Sequence, residues 1–232
     1  MEEVGEVEKA GHALSDAPKH VFITGGTGYV GQRLAEALVA RGHRVRVLAR
    51  PASRARVPAG VEAVVGNALD ANSYVSALGA GDTIVHLVGT PHPSPSKAAE
   101  FQRVDGPSIM AAVTAASTAN VAHLVYVSVA HPAPVMEAYS AVRMAGERAI
   151  AAAGLTATVL RPWYVLGPGH WWPVVLMPVY GALGLIPATR AGAQRLGLVT
   201  IAQMVGALIR AIEDPPPSGT MRVLEVPEIR RS

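Results

Sequence analysis

The run Val21-Phe-Ile-Thr-Gly-Gly-Thr-Gly-Tyr-Val-Gly31 limits what this chain can become more than any other stretch. Val21 to Ile23 reads as a short buried strand. Gly25, Gly28 and Gly31 follow at three-residue intervals, and Val30, Leu34 and Leu38 then repeat at helical spacing. Strand, glycine turn and helix make a first βα unit of the phosphate-binding kind. Gly25 permits the tight turn, Gly28 lets a pyrophosphate approach the backbone, and Gly31 lets the helix lie close to the strand. The helix N-terminus then faces the anion with free N–H groups and a positive dipole end. The spacing G-x-x-G-x-x-G departs from the commoner G-x-G-x-x-G, and the lack of a Gly-Lys-Ser/Thr sequence argues against a P-loop triphosphatase.

With 232 residues, half of them hydrophobic, the chain suits one α/β domain with a small appended lobe. Cysteine is absent, which excludes disulfides, thiolate zinc sites and cysteine nucleophiles and fits a reducing cytoplasm. The eight histidines show no ligand spacing such as H-E-x-x-H, so no metal is expected. Net charge is +3, and because Glu2, Glu3, Glu6 and Glu8 crowd the start, the remainder is more basic still. The arginines form no single block and are not interleaved with aromatics, so a phosphate-bearing small molecule is expected rather than nucleic acid.

Residues 1–19 are polar and lack periodicity; they read as a loose leader and not as a secretory signal. Residues 20–232 read as one domain. The most apolar stretch, 171–187, is shorter than the ~20 residues of a spanning helix and is interrupted by Pro173 and Pro178. It is expected to be a buried or lid segment, with interfacial membrane contact as the alternative.

Along the chain, strands are expected at 43–49, 61–65, 83–88, 122–128, 155–160 and 221–226. Helices are expected from the glycine turn to Arg41, from Ala71 with Asp70 as cap, over 97–120 with a kink or break at Gly106-Pro107, over 136–153, and after Thr200 as N-cap. Strands that alternate with helices imply a parallel sheet covered on both faces.

Arg50 ends the second strand about 20 residues beyond the glycine turn, where an adenosine ribose is read. An acidic residue there would bind both ribose hydroxyls and repel a 2′-phosphate. Arg50, with Arg54 and Arg56 close behind, can instead hold a phosphate through two parallel bonds, so NADP(H) is expected over NAD(H), with NAD(H) possible. Asn67 emerges from the third strand within reach of an adenine amine, and Gly89 leaves room for a cofactor over the sheet edge.

Five segments occur in a familiar order: Thr24-Gly-Gly-Thr-Gly-Tyr-Val-Gly31, Gly66-Asn-Ala-Leu-Asp70, Tyr126-Val-Ser128, Tyr139-x-x-x-Arg143 and Leu160-Arg-Pro-Trp-Tyr-Val-Leu-Gly-Pro168. Over residues 20–226 the chain resembles the extended and atypical short-chain dehydrogenase/reductases. It is most similar to their NmrA-like NAD(P)-binding branch and to the dehydrogenase-like accessory subunit of respiratory complex I. The resemblance implies a Rossmann-type doubly wound parallel sheet with a small C-terminal substrate lobe, drawn mostly from 163–200. It implies cofactor contacts at Thr24, Gly25, Gly26, Thr27, Gly28, Tyr29, Val30, Gly31, Arg50, Asn67, Ala68, Val88, Gly89, Arg143 and Pro162. It also implies a catalytic Tyr-x-x-x-Lys assisted by a hydroxyl after the fifth strand. Here Tyr139 takes the tyrosine position, Arg143 replaces lysine, Ser128 matches the first serine, and Ala130 stands where the assisting hydroxyl often sits.

Tyr139 and Arg143 are four residues apart, hence on one helical face. A tyrosine beside a cation can protonate the alkoxide that develops in hydride transfer to a carbonyl. The alternative is that Tyr139 merely packs and Arg143 pairs on the surface with Glu147, its i+4 neighbour. Trp163, Tyr164, His170, Trp171 and Trp172 follow the sixth strand, where ligands bind in open α/β sheets, and suggest a small apolar substrate or, alternatively, a lobe core. Three functions are in view: an NADP(H)-dependent oxidoreductase of an apolar carbonyl, alcohol or quinone-like compound; a non-catalytic cofactor-binding sensor or assembly module; and a sugar-nucleotide epimerase, for which the C-terminal lobe looks small.

Overall fold

The computed structural model describes residues 17–132, 136–168 and 196–232. Its strands are β1 (His20–Thr24), β2 (Arg44–Ala49), β3 (Glu62–Val65), β4 (Thr83–His86), β5 (His123–Val127), β6 (Ala157–Arg161), β7 (Tyr164–Leu166), β8 (Leu198–Thr200) and β9 (Met221–Glu225). Seven of them form one all-parallel sheet in the order β3-β2-β1-β4-β5-β6-β9. From β1 the chain winds outward to β3, then returns past β1 to β4. The strand order therefore reverses between β1 and β4, the place where open α/β sheets bind ligands.

Helices cover both faces, as the strand-helix alternation predicts. Alternation along β1 sends Val21 and Ile23 to one layer and Phe22 to the other, all three fully buried. On the first side lie α1 (Tyr29–Ala40), which contributes Leu34 and Leu38, and a helix near the C-terminus that contributes Met204, Leu208 and Ile212. On the second lie α2 (Gly106–Thr118) and α3 (Glu137–Ala152), whose small residues Ala112, Ala115 and Ala116 allow close approach to Phe22, Ile84 and Leu124. The late helix α4 (Ile201–Glu213) starts at the expected cap: the Thr200 hydroxyl accepts from the Gln203 N–H at 3.2 Å, and the Gln203 side chain accepts from the Thr200 N–H at 2.9 Å. A short α5 (Val226–Arg230) closes the chain.

Several expectations need correction. No full helix forms after Asp70. Its side chain does accept from the Asn72 N–H at 3.0 Å, but only 3₁₀ turns follow, at Ala71–Ser73 and Val75–Ala77. The Ser73 hydroxyl competes by donating to the carbonyls of Asn67 and Asp70. The long helical stretch is interrupted before Gly106-Pro107, by a π-helical turn over Phe101–Asp105. β7 and β8 form a separate parallel pair beyond the strands expected from the sequence. Most of the expected lobe, including His170, Trp171, Trp172 and the apolar stretch 171–187, lies outside the described residues. Among the described residues no helix is long and apolar enough to cross a membrane.

Candidate functional site

Parallel strands end on one edge, so the segments after β1, β4, β5 and β6 converge there. The glycine turn is built for closeness. Gly25 has φ +77°, and a Cβ on it would lie 2.8 Å from the carbonyl carbon of Leu87, so no side chain fits between β1 and β4. A Cβ on Gly31 would lie 2.5 Å from the Gly25 oxygen, which is why α1 can rest against the turn. Gly28 is different. It is exposed at the helix N-cap, and a Cβ there would meet only the Gly25 oxygen, at 3.1 Å. No side chain caps α1 and no acidic residue occupies its first turn. A helix terminus of this kind attracts an anion that can approach within backbone distance.

A cavity of about 520 Å³ runs from this turn across the sheet edge. One end is walled by Gly25, Gly28, Tyr29, Val30 and Gly31, the floor by Leu87 and Gly89, and the other end by Val129, Met136, Tyr139, Trp163, Tyr164 and Val165, with Pro91, His92 and Pro93 alongside. Its described lining contains no Asp, Glu, Lys or Arg. Tyr139 is held in its wall by Phe101, at 4.9 Å between ring centroids, and by the Arg143 guanidinium, 5.0 Å from its ring centre. Trp163 and Tyr164 meet edge to face at 5.8 Å.

Arg143 itself sits behind the wall. Its side chain is 5% exposed and pairs with the fully buried Asp105 at 2.7 Å, while Nη1 donates to the carbonyls of Val127 at 3.1 Å and Val88 at 3.3 Å. Asp105 is held in turn by the Thr90 N–H at 3.1 Å and the Thr90 hydroxyl at 2.6 Å. Burial opposes the charge on Arg143, but Tyr139, Tyr126 and the Asp105 carboxylate outweigh it and hold its pKa above the ordinary guanidinium value. The surface pair between Arg143 and Glu147 does not exist. Glu147 is bound bidentately by Arg161, through Nε at 3.0 Å and Nη2 at 2.5 Å, and the same arginine reaches Glu225 at 2.9 Å.

Ser128, expected among the catalytic groups, is also turned away. Past the end of β5 the backbone stays paired with β6, the Ser128 N–H donating to Leu160 and the Ala130 N–H to Pro162. Alternation then points Val129 into the cavity and buries Ser128 and Ala130, and the Ser128 hydroxyl donates to Glu147 at 2.5 Å. Burial would raise the Glu147 pKa, but hydrogen bonds from Arg161 and Ser128 lower it overall.

On the cofactor side, Thr24 is fully buried and its hydroxyl bonds the Nδ1 of His86 at 2.8 Å, so it supports the turn from beneath. The His86 ring continues to Ser108 at 3.3 Å. Gly26 is wedged against Val47 and Thr27 is half-buried in the turn. The Gly66 N–H donates to the Ala49 carbonyl at 3.2 Å, which sets exposed Arg50 beside exposed Asn67 at the sheet edge. The Asn67 side chain folds back on the Leu69 N–H, and Ala68 packs on the α2 layer. Asp105, Met136 and the Pro91–Pro93 segment join the site without standing in any of the motifs above. An aspartate before Gly-Pro inside a helical stretch was the signal for the first.

Residues 25–168, more than half the chain, match a family described as NAD(P)H-binding. The chain belongs to the NAD(P)H-binding family. This NAD(P)H-binding chain is 26% identical to a ceramide reductase of Caulobacter vibrioides over 94% of its own length and 67% of the relative's, so it spans about two thirds of that protein. It is 30% identical to a 3-diazoavenalumate denitrifying reductase of a Streptomyces species, over 83% of this chain and 72% of the relative. Its fold matches a short-chain dehydrogenase/reductase superfamily protein from Agrobacterium tumefaciens solved with bound NAD, at a TM-score of 0.64 and 18% identity, covering 89% of this chain and 77% of that one. The glycine cradle, the exposed Gly28 and the uncapped α1 fit a dinucleotide pyrophosphate.

Proposed function

We propose that this chain is an NADP(H)-dependent reductase of an apolar carbonyl or quinone-like compound. The observation that carries the reading is continuity: one cavity joins the glycine turn to an apolar wall containing Tyr139, and among the described residues that line it the only ionisable groups are His92 and the tyrosines. Gly25 and Gly28 admit the pyrophosphate, the α1 N-terminus attracts it, and the exposed guanidinium of Arg50 at the strand end would take a 2′-phosphate. The bound nicotinamide supplies the hydride. Tyr139 gives its hydroxyl proton to the carbonyl oxygen as the carbon is reduced, and Trp163, Met136 and Val129 exclude water and hold the apolar remainder. Arg143 acts through others: it braces Tyr139 and the ends of β4 and β5. The ceramide-directed relative supports an apolar substrate class.

A second reading is a cofactor-binding module without turnover. It draws on Arg143 being spent on Asp105 and on Ala130 in place of a hydroxyl. Purified, cofactor-stripped protein titrated with NADPH and NADH, then screened for NADPH oxidation with long-chain ketones, aldehydes and quinones, separates the two. Tight NADPH binding with turnover is expected. NADPH that binds and is never oxidised by any member of the screen overturns the reductase and leaves the module.

A further inference from the structure

Arg143 is a cation buried beside a proton donor, and a buried cation needs an anion. Its guanidinium lies 5.0 Å from the centre of the Tyr139 ring and 5.8 Å from that of Tyr126. A carboxylate and two phenols thus stand near enough to balance it. A phenol could do so only as phenolate, and a phenolate at Tyr139 has no proton to give a carbonyl oxygen.

The π-helical turn Phe101–Asp105 decides which anion is used. Turns of this kind are rare and gather at functional sites. Its two ends, four residues apart, face two residues four apart on α3. Phe101 packs on the Tyr139 ring at 4.9 Å, and Asp105 takes Arg143 at 2.7 Å. The Asp105 carboxylate is fully buried and also accepts from the Thr90 N–H at 3.1 Å and the Thr90 hydroxyl at 2.6 Å, so three donors converge on it. The titratable groups packed around this cluster are otherwise placed. Burial pushes the Tyr126 phenol of β5 up, against the pull of Arg143. Burial, with Arg143, holds His86 of β4 down at about 3, hence neutral. Glu147, one turn on in α3, is bound by Arg161 and Ser128, and Lys97 donates to the Pro91 carbonyl. Arg103 and Glu137 are exposed, and His92 shares the cavity wall with Tyr139.

We propose that Asp105 is a positioning residue for the reduction: it serves as the counter-ion of Arg143 and so leaves the Tyr139 hydroxyl its proton. Its use in catalysis rests on the reductase reading above, but its test needs neither cofactor nor substrate. NMR of protein labelled at tyrosine Cζ reports phenolate directly, and Tyr139→Phe identifies the Tyr139 signal. Asp105→Asn keeps the shape and removes the charge, so the pH midpoint for phenolate at Tyr139 should fall by roughly 1–3 pH units, the effect of an unmatched cation at this range. Arg143→Met, which leaves Asp105 without its cation, should raise the midpoint. The double variant, with neither charge, should return to within about one pH unit of wild type, which a merely structural loss would not do. An unmoved midpoint in Asp105→Asn overturns the assignment. Should that variant fail to fold, the other two still decide: an unmoved midpoint in Arg143→Met, or a double variant that stays as high as Arg143→Met, overturns it equally. NADPH oxidation is assayed separately. A chain that follows this cycle without ever oxidising NADPH keeps the counter-ion and loses the reductase; a chain that turns over NADPH with an unmoved midpoint in Asp105→Asn keeps the reductase and loses the counter-ion.

Discussion

Asp105 and Arg143 meet at 2.7 Å with almost no access to solvent, 38 residues apart in the chain. The pair ties the π-helical turn to α3 and, through Thr90, to the segment that follows β4. Removing one partner strands the other charge. Asp105→Ala should therefore destabilise the fold by about 3–5 kcal/mol, and the paired change Asp105→Leu with Arg143→Met should cost less than the single one. Urea unfolding of both variants decides this; a single variant as stable as wild type removes the clamp from the account.

Gly25 and Gly28 should separate folding from binding. Gly25→Ala meets backbone at 2.8 Å in a left-handed conformation and should lower stability by more than about 1 kcal/mol. Gly28→Ala meets one atom, the Gly25 oxygen at 3.1 Å, at an ordinary backbone angle, so it should cost less stability than Gly25→Ala, while NADPH affinity falls roughly tenfold or more because a methyl group now stands where the pyrophosphate approaches. Melting curves read beside NADPH titrations check both halves.

Arg50→Asp should raise the NADPH dissociation constant by roughly 10- to 100-fold, the worth of a charge-assisted bond, and leave NADH binding unchanged or tighter. An unaltered NADPH/NADH ratio removes Arg50 from the site.

Tyr139→Phe should lower kcat by roughly 10²- to 10⁴-fold with any substrate that is turned over, with NADPH affinity intact. Single-turnover mixing of enzyme-bound NADPH with substrate is the measurement. Unchanged turnover assigns the proton to another group.

Acid should unfold this chain early. Burial, with the charge of Arg143, pushes His86 from the ordinary 6.5 down to about 3; burial, with Arg222 and Lys19, pushes His123 down to about 4. Both folded values lie below the unfolded one. The stability they provide is complete above pH 6.5 and is lost as the pH falls, towards 4 for His123 and towards 3 for His86, at up to about 1.4 kcal/mol per pH unit for each ring. Glu147, also depressed, adds its loss below pH 4.5. Urea midpoints at pH 7.5, 5.5 and 4.5 should fall accordingly, with a shallower slope in His86→Gln; equal slopes in both proteins contradict the account.

The six sheet strands expected before residue 161, and the one after 220, were legible because their signals are local: apolar runs bounded by glycine, proline or a cap, as at Val21–Ile23 and Thr200. The glycine turn was legible for the same reason. The environment of Arg143 was not. Spacing along a helix brings Glu147 into view, yet Asp105 wins it from a different helix, and Glu147 is claimed by Arg161 from a strand. Nothing local signals such choices, since both carboxylates are selected by packing at the strand ends. His92 was invisible for a related reason: a histidine in a Pro-Ser-rich stretch reads as loop until its backbone angle and its place in the cavity wall are known.

The guanidinium of Arg143 lies so close beneath Gly89 that a Cβ there would fall 2.2 Å from Nη2, and Asp105 and two carbonyls keep that group from swinging aside. A side chain at 89 and arginine at 143 therefore exclude one another. A descendant of this chain cannot place alanine at 89 until residue 143 has shortened, and once it has shortened, Asp105 becomes a burden that must be shed next. That one contact sets the order in which mutations can be accepted: the floor of the cavity should change by paired steps at 89 and 143, not by single ones.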